Sequence, residues 1–141
     1  MKDEYVTYEQ AVKLKKLGFA EQVNHGYSRK IAIEPELSYG NVKEVHSKDP
    51  KNYNDNRKGA EKGLFFYSAP RLDQAQKWLR DKLRIHVEPN FIYETKFEVV
   101  IKRQKGSIFK RAERQFDSYE EALSFGIDES LELLTDKPNG K

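Results

Sequence analysis

Residues 91–103 read Phe91-Ile-Tyr-Glu-Thr-Lys-Phe-Glu-Val-Val-Ile-Lys-Arg103, an alternation of apolar and polar side chains. Tyr93, Thr95, Phe97, Val99 and Ile101 fall on one side; Glu94, Lys96, Glu98 and Lys102 fall on the other. That period of two predicts a half-buried antiparallel strand. Gln104-Lys-Gly-Ser107 supplies a turn with a glycine, and Ile108 to Phe116 reads as the returning strand. Directly after it, Ser118-Tyr-Glu-Glu121 matches a capping box. Tyr119, Ala122, Leu123, Gly126, Ile127, Ser130, Leu131 and Leu134 then recur at i, i+3 and i+4, while Glu120, Glu121, Asp128, Glu129 and Glu132 face outward. A hairpin followed by an amphipathic helix needs that helix to cover the apolar side of the strands.

Working back from the hairpin, Ile85-His-Val87 begins a strand that Glu88-Pro-Asn90 is expected to interrupt. Leu72, Ala75, Trp78, Leu79 and Leu83 share a helical face over about 70–84, with Pro70 suited to the first turn. Leu64-Phe-Phe-Tyr67 reads as a short buried strand. At the other end, Thr7-Tyr-Glu-Gln10 is a capping box for a helix over 8–17, which Gly18 closes and onto which Phe19 folds back. Residues 20–33 hold one or two short strands, and 34–63 form a long polar loop with a short strand around Val42–Val45. The architecture expected is α+β: a single antiparallel sheet with two or three amphipathic helices packed on one face. One domain spans 1–134, and 135–141 are a flexible tail.

Composition agrees with one domain, since 141 residues are too few for two comfortable ones. Apolar residues make up 37% and charged residues 35%, so eight Phe, eight Tyr and one Trp must supply much of the buried area. The absence of cysteine excludes disulfides, thiol catalysis and thiolate metal sites. No apolar run long enough to span a membrane and no secretory h-region occur, so a soluble, cytoplasmic protein without a membrane partner is expected. The net charge of +3 is unevenly spread, with seven basic residues between Lys96 and Arg114 and seven acidic ones between Phe116 and Asp136.

Motifs that carry chemistry are absent. His25, His46 and His86 lack the i, i+3 or i, i+4 spacing that turns two imidazoles toward one ion. Asn52-Tyr-Asn-Asp-Asn-Arg57 resembles a calcium loop only until Arg57 stands where glycine is needed and Gly63 where a glutamate is needed. Ser107-Ile-Phe-Lys110 fits S-x-x-K but opens a strand, so its ends share no helical face. No phosphate-binding glycine loop is present. No catalytic, cofactor-binding or metal-ligating residue is therefore assigned, and an enzyme built from dispersed residues such as His25, Tyr27 and Glu34 is the weakest reading.

Two constellations point to binding. Lys102, Arg103, Lys105, Phe109, Lys110 and Arg111 gather in the hairpin 96–114, where cations and an aromatic can grip phosphates and stack a base. Glu98 and Glu113 among them, and the acidic helix that follows, offer the alternative of ordinary ion pairs. Aromatic side chains outside a single core mark a protein partner or a homodimer contact, and Tyr39, Tyr53 and Phe66 are the candidates.

Ser68-Ala-Pro-Arg-Leu-Asp-Gln-Ala-Gln-Lys-Trp-Leu-Arg80 and Phe116-Asp-Ser-Tyr-Glu-Glu-Ala-Leu123, with Leu17-Gly-Phe19, resemble small uncharacterised proteins carried by phages, prophages and mobile elements of gut bacteria. The resemblance covers the first helix and residues 64–134. It implies an accessory gene product in a bacterial host cell and brings no activity with it. The function expected is non-enzymatic binding of another macromolecule, a host or phage protein first, with a nucleic-acid-binding module using the basic hairpin as the alternative.

Overall fold

A computed structural model describes residues 4–30, 41–55, 63–103, 108–112 and 114–135. They divide into two compact units, Tyr5–Pro70 and the described parts of Met1–Glu4 with Arg71–Lys141. The α+β class holds, with three helices among the described residues. Where one sheet is expected there are two, each of three antiparallel strands. The division has a hydrogen-bonding cause. The strand at Leu64–Ser68 pairs back onto Val23–Lys30, at the edge of the first sheet, rather than with the hairpin that follows.

In the first unit, α1 (Tyr8–Lys16) starts at the capping box. Thr7 Oγ1 accepts the Gln10 N–H at 3.2 Å, and Gln10 Oε1 accepts the Thr7 N–H at 2.9 Å. Gly18 takes the left-handed conformation, φ 95°, and Phe19 donates its N–H to the Leu14 carbonyl at 3.0 Å. Phe19 is buried, as are Leu14 and Ala11 of the helix. β1 (Val23–Lys30) is central, flanked by β2 (Lys43–Lys51) and β3 (Leu64–Ser68). β2 is longer than the Val42–Val45 strand expected, because its polar, exposed residues pair with β1 from an edge and need no apolar face.

The second unit begins with α2 (Leu72–Leu83), whose Leu72, Ala75, Trp78 and Leu79 are buried as the periodicity requires. β4 (Ile85–Tyr93), β5 (Lys96–Arg103) and β6 (Ile108–Arg111) follow in that spatial order, then α3 (Tyr119–Thr135). Two expectations are corrected here. Pro89 does not interrupt β4, because β4 is an edge strand and can spare one N–H. Residues 91–103 are not one strand: the chain turns at Glu94–Thr95, with Glu94 at φ 49°, and Phe91 lies opposite Phe97. The turn carries no glycine or asparagine to announce it.

α2 packs on β4, and α3 packs on β4, β5 and α2. Ala122, Leu123, Gly126, Ile127, Ser130 and Leu131 form the buried stripe of α3. Ser118 Oγ accepts the Glu121 N–H at 3.1 Å, but the Glu121 carboxylate takes the N–H of Asp117 rather than that of Ser118. At Gly126 α3 comes close to the sheet. A Cβ placed there would lie 2.7 Å from Val99 Cγ2 and nearer still to Val87 Cγ1. Only a residue without a side chain permits that approach.

Candidate functional site

The apolar side of the second sheet is built from the paired positions Val87–Ile101, Pro89–Val99 and Phe91–Phe97. α3 lies against Val87 and Val99 at Gly126 and begins at Tyr119, which meets Phe97 and leaves Phe91 open. Phe97 is half-buried, whereas Phe91 is 62% exposed. The Phe91 and Phe97 rings meet edge to face at 5.8 Å, and Tyr119 meets Phe97 in the same way at 6.2 Å. Ile92 and Tyr93 are exposed beside them, Tyr93 to 49%. Phe91 and Tyr119, joined through the half-buried Phe97, form an exposed aromatic patch, and the exposed Ile92 and Tyr93 follow Phe91 along the chain. Sequence reasoning missed it because it takes a turn at Glu94–Thr95 to bring Phe91 over Phe97. The exposed residues Glu94, Asp117, Glu120 and Glu121 flank the patch along the chain. Lys96 pairs with Asp117, and Arg114 lies over the rings of Phe116 and Phe125 at 4.6 and 5.0 Å.

The candidates taken from sequence fare differently. Tyr53 is 6% exposed and cannot offer its ring to a partner. Its ring lies against Gly26, where an added Cβ would come within 3.0 Å of it, and its hydroxyl donates to Ser47 Oγ at 2.8 Å. Around it, Asn54 donates to the Phe19 carbonyl at 2.8 Å and accepts the Ser68 N–H at 2.9 Å, so Asn52–Asp55 is a plug rather than a solvated loop. Phe66 is half-buried, 6.5 Å from the Tyr53 ring. Tyr39, Glu34 and Lys105 lie outside the described residues, as do residues 136–141 of the tail and the side chains of Phe109 and Arg111. In the basic hairpin, Lys102 pairs with Glu88 at 3.2 Å and Lys110 pairs with Glu129 of α3. Those two cations, expected on a phosphate-gripping ribbon, are thus engaged by carboxylates of the same unit.

A different cluster comes together in the first unit. β1 and β2 pair so that His25 lies opposite His46 and Tyr27 opposite Glu44. His25 Nδ1 is 3.0 Å from His46 Nδ1, and His25 Nε2 is 3.3 Å from Glu44 Oε1. The His25 ring is buried, stacked on Tyr5 at 4.3 Å and met edge-on by Tyr27 at 5.5 Å. The Tyr27 hydroxyl is itself fixed by donating to the Val6 carbonyl at 2.7 Å. Burial, and next the neighbouring His46, hold the His25 pKa below its ordinary value, with Glu44 partly opposing them. The lowered pKa favours the neutral imidazole near pH 7, with one proton shared in the Nδ1–Nδ1 contact to His46 or carried on Nε2 beside Glu44. The 21-residue separation of the two histidines hides this geometry, because it is made by strand register.

On α3, Asp128, Glu129 and Glu132 form an acidic group, of which Lys110 engages Glu129. None of the described helices is long and apolar enough to cross a membrane. Comparison with known proteins returned no matching family model, no matching curated protein and no matching solved structure.

Proposed function

We propose that this chain is a non-enzymatic accessory protein that binds another protein through the aromatic patch at the β4–β5 turn. The observation that carries the reading is the Phe91–Phe97 rung, whose Phe91 ring is exposed and packs on the half-buried Phe97 beside the exposed Tyr119. Contiguous exposed aromatics of this kind are recurrent centres of protein interfaces. Acidic residues flank the patch in excess of cations, so the complementary partner presents an apolar centre and a basic rim. The resemblance to phage and mobile-element proteins supplies the setting, with a host or phage protein as that partner. Engagement of Lys102 and Lys110 by carboxylates favours this reading over nucleic-acid binding.

A photo-crosslinking phenylalanine analogue at position 91 should form an adduct with one partner, which is then purified and titrated against the chain. Phe91→Ser and Tyr93→Ser should each weaken binding by about 2 kcal/mol, or thirtyfold, as interface anchors do. Both residues are exposed, so the fold should survive. Rising salt should weaken the complex further. Unchanged affinity in both variants refutes the proposal, as does a patch-dependent homodimer as the only adduct.

A further inference from the structure

The structure assigns a second, separate capability to the first unit: we infer that His25 and His46, supported by Glu44, bind a divalent first-row transition ion, zinc foremost. The argument rests on geometry. Two imidazole nitrogens on one tetrahedral zinc ion stand about 3.3 Å apart, from Zn–N distances of about 2.0–2.1 Å. His25 Nδ1 and His46 Nδ1 stand 3.0 Å apart already, on directly opposed positions of adjacent strands. The ligand-bearing atoms of His25, Glu44 and His46 all lie within 4.8 Å of one another.

The arrangement around them is that of a metal-binding histidine rather than of an incidental contact. His25 is buried and its ring orientation is held by Tyr5 and Tyr27. Its Nε2 stands 3.3 Å from Glu44 Oε1, the kind of carboxylate that orients ligating imidazoles, and the tautomer with its proton on Nε2 presents the Nδ1 lone pair to an ion. His46 and Glu44 are exposed, so an ion reaches the site from solvent and keeps water in its remaining positions. Binding an ion requires the Nδ1 of both rings to be unprotonated, each neutral ring then carrying its proton on Nε2. Imidazole ligands select zinc, copper and nickel over calcium and magnesium.

Zinc chloride titrated calorimetrically into the untagged chain, with calcium chloride as control, tests the inference. One zinc per chain should bind and calcium should not. His46→Ala, at an exposed position, should abolish binding while the far-ultraviolet circular dichroism is retained. Glu44→Gln should weaken zinc about tenfold or more, by releasing the His25 tautomer. His86→Ala, in the other unit, should leave binding unchanged. Absence of zinc binding overturns the inference and leaves the His25–His46 contact a structural hydrogen bond. Equal zinc affinity in the wild type and His46→Ala overturns it too. Neither result bears on the aromatic patch, whose residues belong to the other unit.

Discussion

Gly126→Ala separates what helix propensity predicts from what packing demands. In an isolated helix the change gains about 1 kcal/mol, because alanine loses less backbone freedom than glycine on folding. Here the new methyl carbon would sit 2.7 Å from Val99 Cγ2 and closer to Val87 Cγ1, inside a stripe where Ile127 and Leu131 are fully buried. Ordinary carbon contacts begin at about 3.5 Å, so α3 must move off the sheet or both valines must shift. Overpacking of this kind costs about 1–3 kcal/mol. Two valine contacts put the crowding toward the upper end of that range, so it outweighs the gain in helix propensity, and the variant should be less stable by up to about 2 kcal/mol, a fall of up to about 1 M in the urea midpoint. Trp78 is the chain's one tryptophan and is buried in this unit, so its fluorescence follows the relevant transition. Val87→Ala, destabilising by itself, should cost less in the Gly126→Ala background, with a coupling of about 0.5–2 kcal/mol. A Gly126→Ala variant as stable as the parent, or more so, would refute the close approach of α3 to β4 and β5.

Glu94 holds a left-handed conformation, φ 49°, that costs a residue with a Cβ about 1–2 kcal/mol. Glu94→Gly should therefore raise the melting temperature of the second unit by several degrees, measured by Trp78 fluorescence, and a lowered melting point would argue against the turn at 94–95. His25 gives the first unit a pH dependence. Its folded pKa lies below the unfolded value of 6.5, so between the two the unfolded chain binds the extra proton. Stability should rise with pH through that window and level off above about 6.5. Thermal melts followed by circular dichroism from about pH 5 to 8 would show it, and a first-unit transition that strengthens toward acid would count against a buried neutral His25.

The helices were legible from sequence because their signals are local. The Thr7–Gln10 capping box, the Gly18 terminator and the Ala122–Leu131 stripe each depend on residues within a turn or two, and each is realised by bonds of that range. The strands at Leu64–Tyr67 and Phe97–Ile101 were legible as strands from their apolar runs, although Leu64–Tyr67, expected to be buried, is half-buried at the edge of its sheet. Tyr53 was misjudged from its polar neighbours: Asn54, Ser47 and Ser68 are the groups that satisfy hydrogen bonds around it while Gly26 leaves room for its ring.

Which strand pairs with which was a tertiary decision. A period of two states which side of a strand is apolar and leaves the neighbour unnamed, and hydrogen bonds between strands join residues tens of positions apart. That is why local patterning determined an α+β chain with capped helices and an aromatic core, while the division into two sheets needed the return of β3 to β1. Passage of β4 through Pro89 likewise depended on its place at the sheet edge. The same register put Phe91 over Phe97 and His25 against His46. Both candidate sites of this protein are made of side chains from paired strands, and it is the pairing that brought them together.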